Sequence, residues 1–138
     1  MVALNEEFLL GTNNYRVNRM GAMAAFDVAR TLGPVLEWMG RLLADKPDAS
    51  REAIIRAFCG SMGMLGRKDA MDAVYGCLAA VLRRQPSGWA VIYNTGNVVF
   101  DDITMPEVLE LAWCVLEANG ILSFFGGSPS VSPGSGAT

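Results

Sequence analysis

Apolar and polar positions change period several times along the chain, and each change marks an element. Residues 7–18 read as a β-hairpin, in which Glu7-Phe8-Leu9-Leu10 and Tyr15-Arg16-Val17-Asn18 flank Gly11-Thr12-Asn13-Asn14. The second arm alternates polar and apolar side chains, and glycine and asparagine supply the left-handed conformations of a tight reversal. From Ala22 the spacing becomes helical as far as Leu32, with Met23, Phe26 and Ala29 on one side and Asp27 and Arg30 on another. Gly33-Pro34 predicts a break or kink, because proline lacks the amide donor and clashes with the preceding turn. Helical spacing resumes from Pro34 to Ala44. Val35, Trp38, Met39, Leu42 and Leu43 make its apolar face, and Glu37 and Arg41 form an ion pair one turn apart.

A third helix is expected from Asp48 or Ser50, both good caps, to Cys59, with Ile54, Ile55 and Phe58 as its buried stripe. Gly60-Ser61-Met62-Gly63-Met64-Leu65-Gly66 then reads as a flexible apolar loop. A fourth helix is expected over Asp69 to Arg84. Its core face is Met71, Val74, Tyr75, Leu78, Val81 and Leu82, and its small face is Asp72, Gly76, Ala79 and Ala80. After the loop Gln85-Pro86-Ser87-Gly88, Trp89 to Tyr93 and Asn97 to Phe100 read as extended. The turn residues between them suit a second short hairpin. Thr104-Met105-Pro106-Glu107 fits a capping box that opens a last helix to Ala118, stopped by Asn119-Gly120. The polar stripe of that helix is only Glu107, Glu110 and Glu117, so it should be buried on most sides. Ile121 to Phe125 is a short apolar segment.

The pattern therefore predicts a mainly α (α+β) fold: four to five helices, an N-terminal β-hairpin and a second short hairpin. One domain is expected over residues 1–125. From Gly126 to Thr138, ten of thirteen residues are Gly, Ser or Pro. Such a tail cannot bury enough surface to offset its ordering entropy and is expected to be disordered.

Composition sharpens this picture. Hydrophobic residues make up 51% of the 138 and charged ones only 18%, a surplus that leans toward burial against partners or further copies. The net charge of −3 argues against nucleic acid as a partner. All 11 Lys and Arg lie before residue 85, whereas Asp101, Asp102, Glu107, Glu110 and Glu117 follow it, so one end is acidic. Cys59, Cys77 and Cys114 form no CxxC pair and read as buried thiols in a reducing compartment. No signal-peptide pattern opens the sequence, and no apolar run is long enough to cross a bilayer, so a cytoplasmic protein without a membrane partner is expected.

Candidate chemistry is sparse. The chain has no histidine, which removes Ser-His-Asp and Cys-His catalysis and His-ligated zinc. Lys46 and Lys68 lie among charges, unlike a desolvated Schiff-base lysine. Asp101 and Asp102, adjacent on an extended segment, point to opposite sides and read as a solvated turn. Asp69 and Asp72 have a helix-dipole reason to sit where they do. Gly60-x-x-Gly63-x-x-Gly66 lacks the lysine and preceding strand of a phosphate loop. No enzyme, cofactor or metal is expected. Of eight methionines, Met23, Met39 and Met71 read as core. Met62 and Met64 are candidate partner-binding residues on an adaptable apolar surface. Trp113, Phe124 and Phe125 are the other candidate contacts, with packing inside the domain weighing more heavily for Trp113.

Three stretches taken together resemble the tail assembly chaperones of long-tailed bacteriophages. They are Tyr15-Arg16-Val17 running into Met23 to Leu36, Val99 to Ile103, and Leu109 to Asn119 followed by Phe124-Phe125. The resemblance spans most of residues 7–125 and rests on packing motifs. It implies a non-enzymatic protein of the host cytoplasm that coats the tape-measure protein and keeps it soluble. It further implies that the protein helps recruit tail-tube subunits and leaves before the virion is complete, and the apolar surplus adds the expectation of a homo-oligomer. In many phages a ribosomal frameshift appends a second domain, for which a Gly/Ser/Pro end would serve as a junction. The alternatives are a structural minor tail or connector protein of the virion, and a small carboxylate enzyme.

Overall fold

The computed structural model describes residues 2–124. The element order begins with strands β1 (Phe8–Leu10) and β2 (Asn13–Val17), followed by helices α1 (Ala22–Leu43) and α2 (Arg51–Ser61). A 3-10 turn (Met62–Met64) leads into α3 (Arg67–Leu78), then β3 (Val81–Gln85) and β4 (Gly88–Val91). The short strands β5 (Tyr93–Asn94) and β6 (Asn97–Val98) precede α4 (Met105–Ala118) and α5 (Ile121–Phe124). This is the expected α+β class, with five helices among the described residues. The expected disordered tail, 126–138, and Phe125 lie outside the described residues.

β1 to β4 form one antiparallel sheet in sequence order, and β5 and β6 pair as a separate hairpin. In the first hairpin Leu10 pairs with Asn13 across Gly11-Thr12. Gly11 has φ +62°, as the first position of a two-residue turn of this kind needs. A Cβ there would also stand 2.5 Å from Glu107 Oε2. Glu107 is itself held by the capping box, its Oε1 accepting the Thr104 amide at 2.9 Å. The hairpin turn thus docks on the start of α4, and α4 packs on β2.

Tyr15 and Val17 of β2 and Val81 of β3 turn to the helices and are buried with Val28, Leu32 and Val35 of α1, Phe58 of α2, Cys77 and Leu78 of α3, and Leu111 to Leu116 of α4. At the α1–α3 crossing a Cβ on Gly76 would lie 2.9 Å from Val28 Cγ2, so the small residue permits the close approach. Asn119 clamps the end of α4 to the β2–α1 connection. Its Oδ1 accepts the Met20 amide at 2.8 Å, and its Nδ2 donates to the Asn18 carbonyl at 3.3 Å.

Several local expectations are corrected. α1 runs without a break through Pro34. Leu32 and Val35 are buried on the core side while Pro34 and Arg30 face solvent, so the carbonyl deprived of a donor lies where water reaches it. α2 continues through Gly60 to Ser61, and the glycine-rich stretch is a 3-10 turn where a loop was expected. The helix expected over Asp69 to Arg84 ends at Leu78, and Val81–Gln85 is a strand. Val81 and Leu82 continue the helical spacing by coincidence. Hydrogen bonding to both β2 and β4 outweighs that local preference. The loop Gln85 to Gly88 is consequently a hairpin turn, and Trp89 to Val91 pairs with β3 rather than with the segment after Gly96. Only the Tyr93–Asn94 and Asn97–Val98 arms form the second short hairpin. Met23, expected in the core, is 76% exposed, and Met71 is exposed as well, whereas Met39 is buried. Cys77 and Cys114 are buried as expected, but Cys59 is only partly covered.

Candidate functional site

Strand pleating sends Leu9, Arg16, Leu82, Arg84, Trp89 and Val91 to the sheet face opposite the helices. Arg16 pairs with Leu82 and Leu82 with Val91, while Arg84 pairs with Trp89 and Leu9 with Asn14. The two faces differ in cover. Tyr15, Val17 and Val81 are buried, yet Leu9 is 67% and Val91 53% exposed. Among the described residues, none of Leu9, Leu82, Trp89 and Val91 packs against the hydrophobic core. One solvated face is ordinary for an antiparallel sheet, but such a face usually carries polar side chains.

Two guanidiniums frame the aromatic ring on this face. Arg16 Cζ lies 4.7 Å and Arg84 Cζ 5.8 Å from the Trp89 ring centroid, within cation–π range. Arg84 donates to Glu7 Oε1 at 3.0 Å. Arg16 forms no ion pair among the described residues. The face therefore offers branched apolar side chains, one indole and an excess of positive charge in a chain of net charge −3.

The inward arginine of the same strand behaves differently. Arg83 is buried and reaches both carboxylate oxygens of Asp102, at 2.8 and 2.9 Å, with its guanidinium 4.3 Å from the Phe100 ring centroid. Asn13 adds a donor to Asp102 at 3.3 Å. Asp102 is thus the anchor of a sheet arginine, not merely a residue of a solvated turn. The hydrogen bonds from Arg83 hold the Asp102 carboxyl below its ordinary range. A depressed folded-state value adds stability that is present above the unfolded value, near pH 4, and is lost as pH falls through the folded one. In thermal melts from pH 7 to pH 2, Asp102→Asn is expected to be less stable than wild type at neutral pH, with the gap closing in acid. Parallel curves would refute the role of this pair.

Other polar groups act structurally. Arg51 bonds to Glu117 and reaches Cys114 Sγ at 3.6 Å, joining α2 to α4. Burial pushes the Cys77 and Cys114 thiols up to about 12, which keeps them protonated and unreactive. No group of three or more metal-ligating side chains occurs among the described residues, and no described helix is long and apolar enough to cross a membrane.

The candidate contacts named from sequence are scattered. Met62 is 8% and Trp113 5% exposed, both inside the core, and Trp113 packs on Phe58 with ring centroids 5.1 Å apart. Met64 is half exposed at the end of the 3-10 turn. Phe124 closes α5, with its side chain outside the described part, and Phe125 lies beyond it. Sequence reasoning missed the sheet face because Leu82 and Arg84 were assigned to a helix. The alternation Trp89-Ala90-Val91 beside Leu82-Arg83-Arg84 was the available signal. Further large apolar side chains are exposed on α1, Met23 and Phe26 near its start and Trp38 and Leu42 near its end. The end of that helix borders a shallow concavity of about 390 Å³ formed with Ala49, Ala53 and Ala57.

The described α+β domain leaves large apolar side chains exposed on a sheet face and on its longest helix. The family model described as phage tail assembly chaperone protein, TAC, matches residues 11–129, and the chain belongs to that family. No curated protein and no solved structure matches it.

Proposed function

We propose that this tail assembly chaperone binds the tape-measure protein in the host cytoplasm, keeps it soluble, and helps recruit tail-tube subunits to it. The observation that carries the reading is the set of exposed apolar side chains outside a fully formed core, including Leu9, Met23, Phe26 and Val91. Surface of this kind is costly in water and is stabilised when a partner covers it. The exposed Trp38 and Leu42 at the end of α1 suit contact with a second copy, as self-association requires.

Co-expression tests the proposal. The tape-measure protein is expected to be insoluble alone, and soluble and co-purified when this chain is supplied. No gain in soluble yield together with no co-purification would overturn it. Mass spectrometry of purified virions separates a chaperone, absent or scarce there, from a structural tail component present at fixed stoichiometry.

A further inference from the structure

We propose that the open sheet face is the client-docking surface and that its occupant is an amphipathic helix carrying carboxylates beside its apolar stripe. This rests on the chaperone reading and adds to it the place and the chemistry of recognition. Among the described residues, the helices that build the core pack on the side of Tyr15, Val17 and Val81. A further helix on the opposite side completes a three-layer arrangement, with Leu9, Leu82 and Val91 meeting its apolar stripe.

Charge complementarity selects among occupants. Arg16 and Arg84 project beside Trp89, and Glu7 is the acidic residue paired with Arg84. Arg16 Nε is buried without a hydrogen-bond partner among the described residues. An incoming carboxylate supplies the counter-charge that Arg16 lacks and competes with Glu7 for Arg84. A second copy placed face to face sets these arginines against their own equivalents, which disfavours that pairing. Single-stranded nucleic acid needs an open aromatic ring for base stacking, and the Trp89 ring is already in contact with two guanidiniums.

The test titrates the full chain against two labelled helical peptides that share one leucine stripe, flanked by Glu in one and by Lys in the other. Fluorescence anisotropy reads the affinity, and a single-stranded oligonucleotide serves as a third probe. The Glu peptide is expected to bind about ten-fold more tightly than the Lys peptide at low salt, with the preference shrinking as salt rises. The double variant Arg16→Glu with Arg84→Glu should reverse that preference, while circular dichroism and melting temperature report an intact fold. Equal affinity for both peptides, an unreversed preference in the variant, or tighter binding of the oligonucleotide would overturn the proposal. Solubilisation of the tape-measure protein by the charge-reversed variant as fully as by wild type would remove the sheet face as the docking surface and leave the chaperone function standing. Failure of the wild type in that assay would instead remove the function.

Discussion

Replacing Phe58 by alanine is expected to lower stability by about 3–5 kcal/mol, and Trp113→Ala by a similar amount. The two rings pack on each other at the junction of α2 and α4, and both are buried. Each truncation removes apolar surface from the interior and leaves a cavity that the helices cannot close. α4 is gripped on one side by the hairpin turn at Gly11 and on the other by Asn119. A fall in melting temperature of about 12 °C or more should follow for a domain of this size. Urea unfolding monitored by circular dichroism measures it. A loss below about 1 kcal/mol for Phe58→Ala would mean that this junction is not the centre of the core. Any failure of Trp113→Ala to bind partners should therefore track unfolding, since the native side chain is not available at the surface.

The second large effect is on function and should leave the fold alone. Leu9→Glu combined with Val91→Glu removes the two most exposed apolar side chains of the sheet face and adds negative charge beside Arg16 and Arg84. Exposed positions away from special backbone features usually change stability by about 0.5 kcal/mol or less. The melting temperature should therefore stay close to wild type. The yield of soluble tape-measure protein on co-expression should fall to the level seen without the chaperone. A glutamate-substituted face that still solubilises the client would place binding elsewhere, with the exposed apolar side chains of α1, Met23, Phe26, Trp38 and Leu42, next to probe.

Much of the architecture was legible because local signals agreed with the tertiary outcome. The Thr104–Glu107 capping box and the Ser50 cap are short-range devices that form as the residues suggest, and the first hairpin turns at Gly11 as expected, though over Gly11-Thr12 alone, with Asn13 and Asn14 drawn into the strand. The failures share one cause. Pro34, Val81 and Met23 were read by local preference, and in each case contacts from distant segments decided. Packing on both sides of Pro34 carries α1 through it. Two neighbouring strands draw Val81 to Gln85 out of the helix. The inward side of α1 is set by Val28, Leu32, Val35 and Met39, a stripe that turns Met23 outward.

The candidate surface was hidden for a related reason. A sheet face is assembled from Leu9, Arg16, Leu82, Arg84, Trp89 and Val91, spread over more than half the chain, and becomes visible only when the strand order is known. Methionine content pointed to adaptable apolar contacts at Met62 and Met64, yet Met62 is in the core, and Met23 and Met105 stand more open than Met64. The carboxylate that neutralises Arg83 was found in sequence as one of an adjacent acidic pair, but its partner could not be named without the fold.

Site-specific photo-crosslinking during co-expression tests the central claim most directly. A photoreactive residue placed at position 9 or 91 should capture the tape-measure protein, whereas one at the exposed Lys68 of α3 should not. Capture from position 68 with none from 9 or 91 would contradict the assignment of the uncovered sheet as the surface that meets the client.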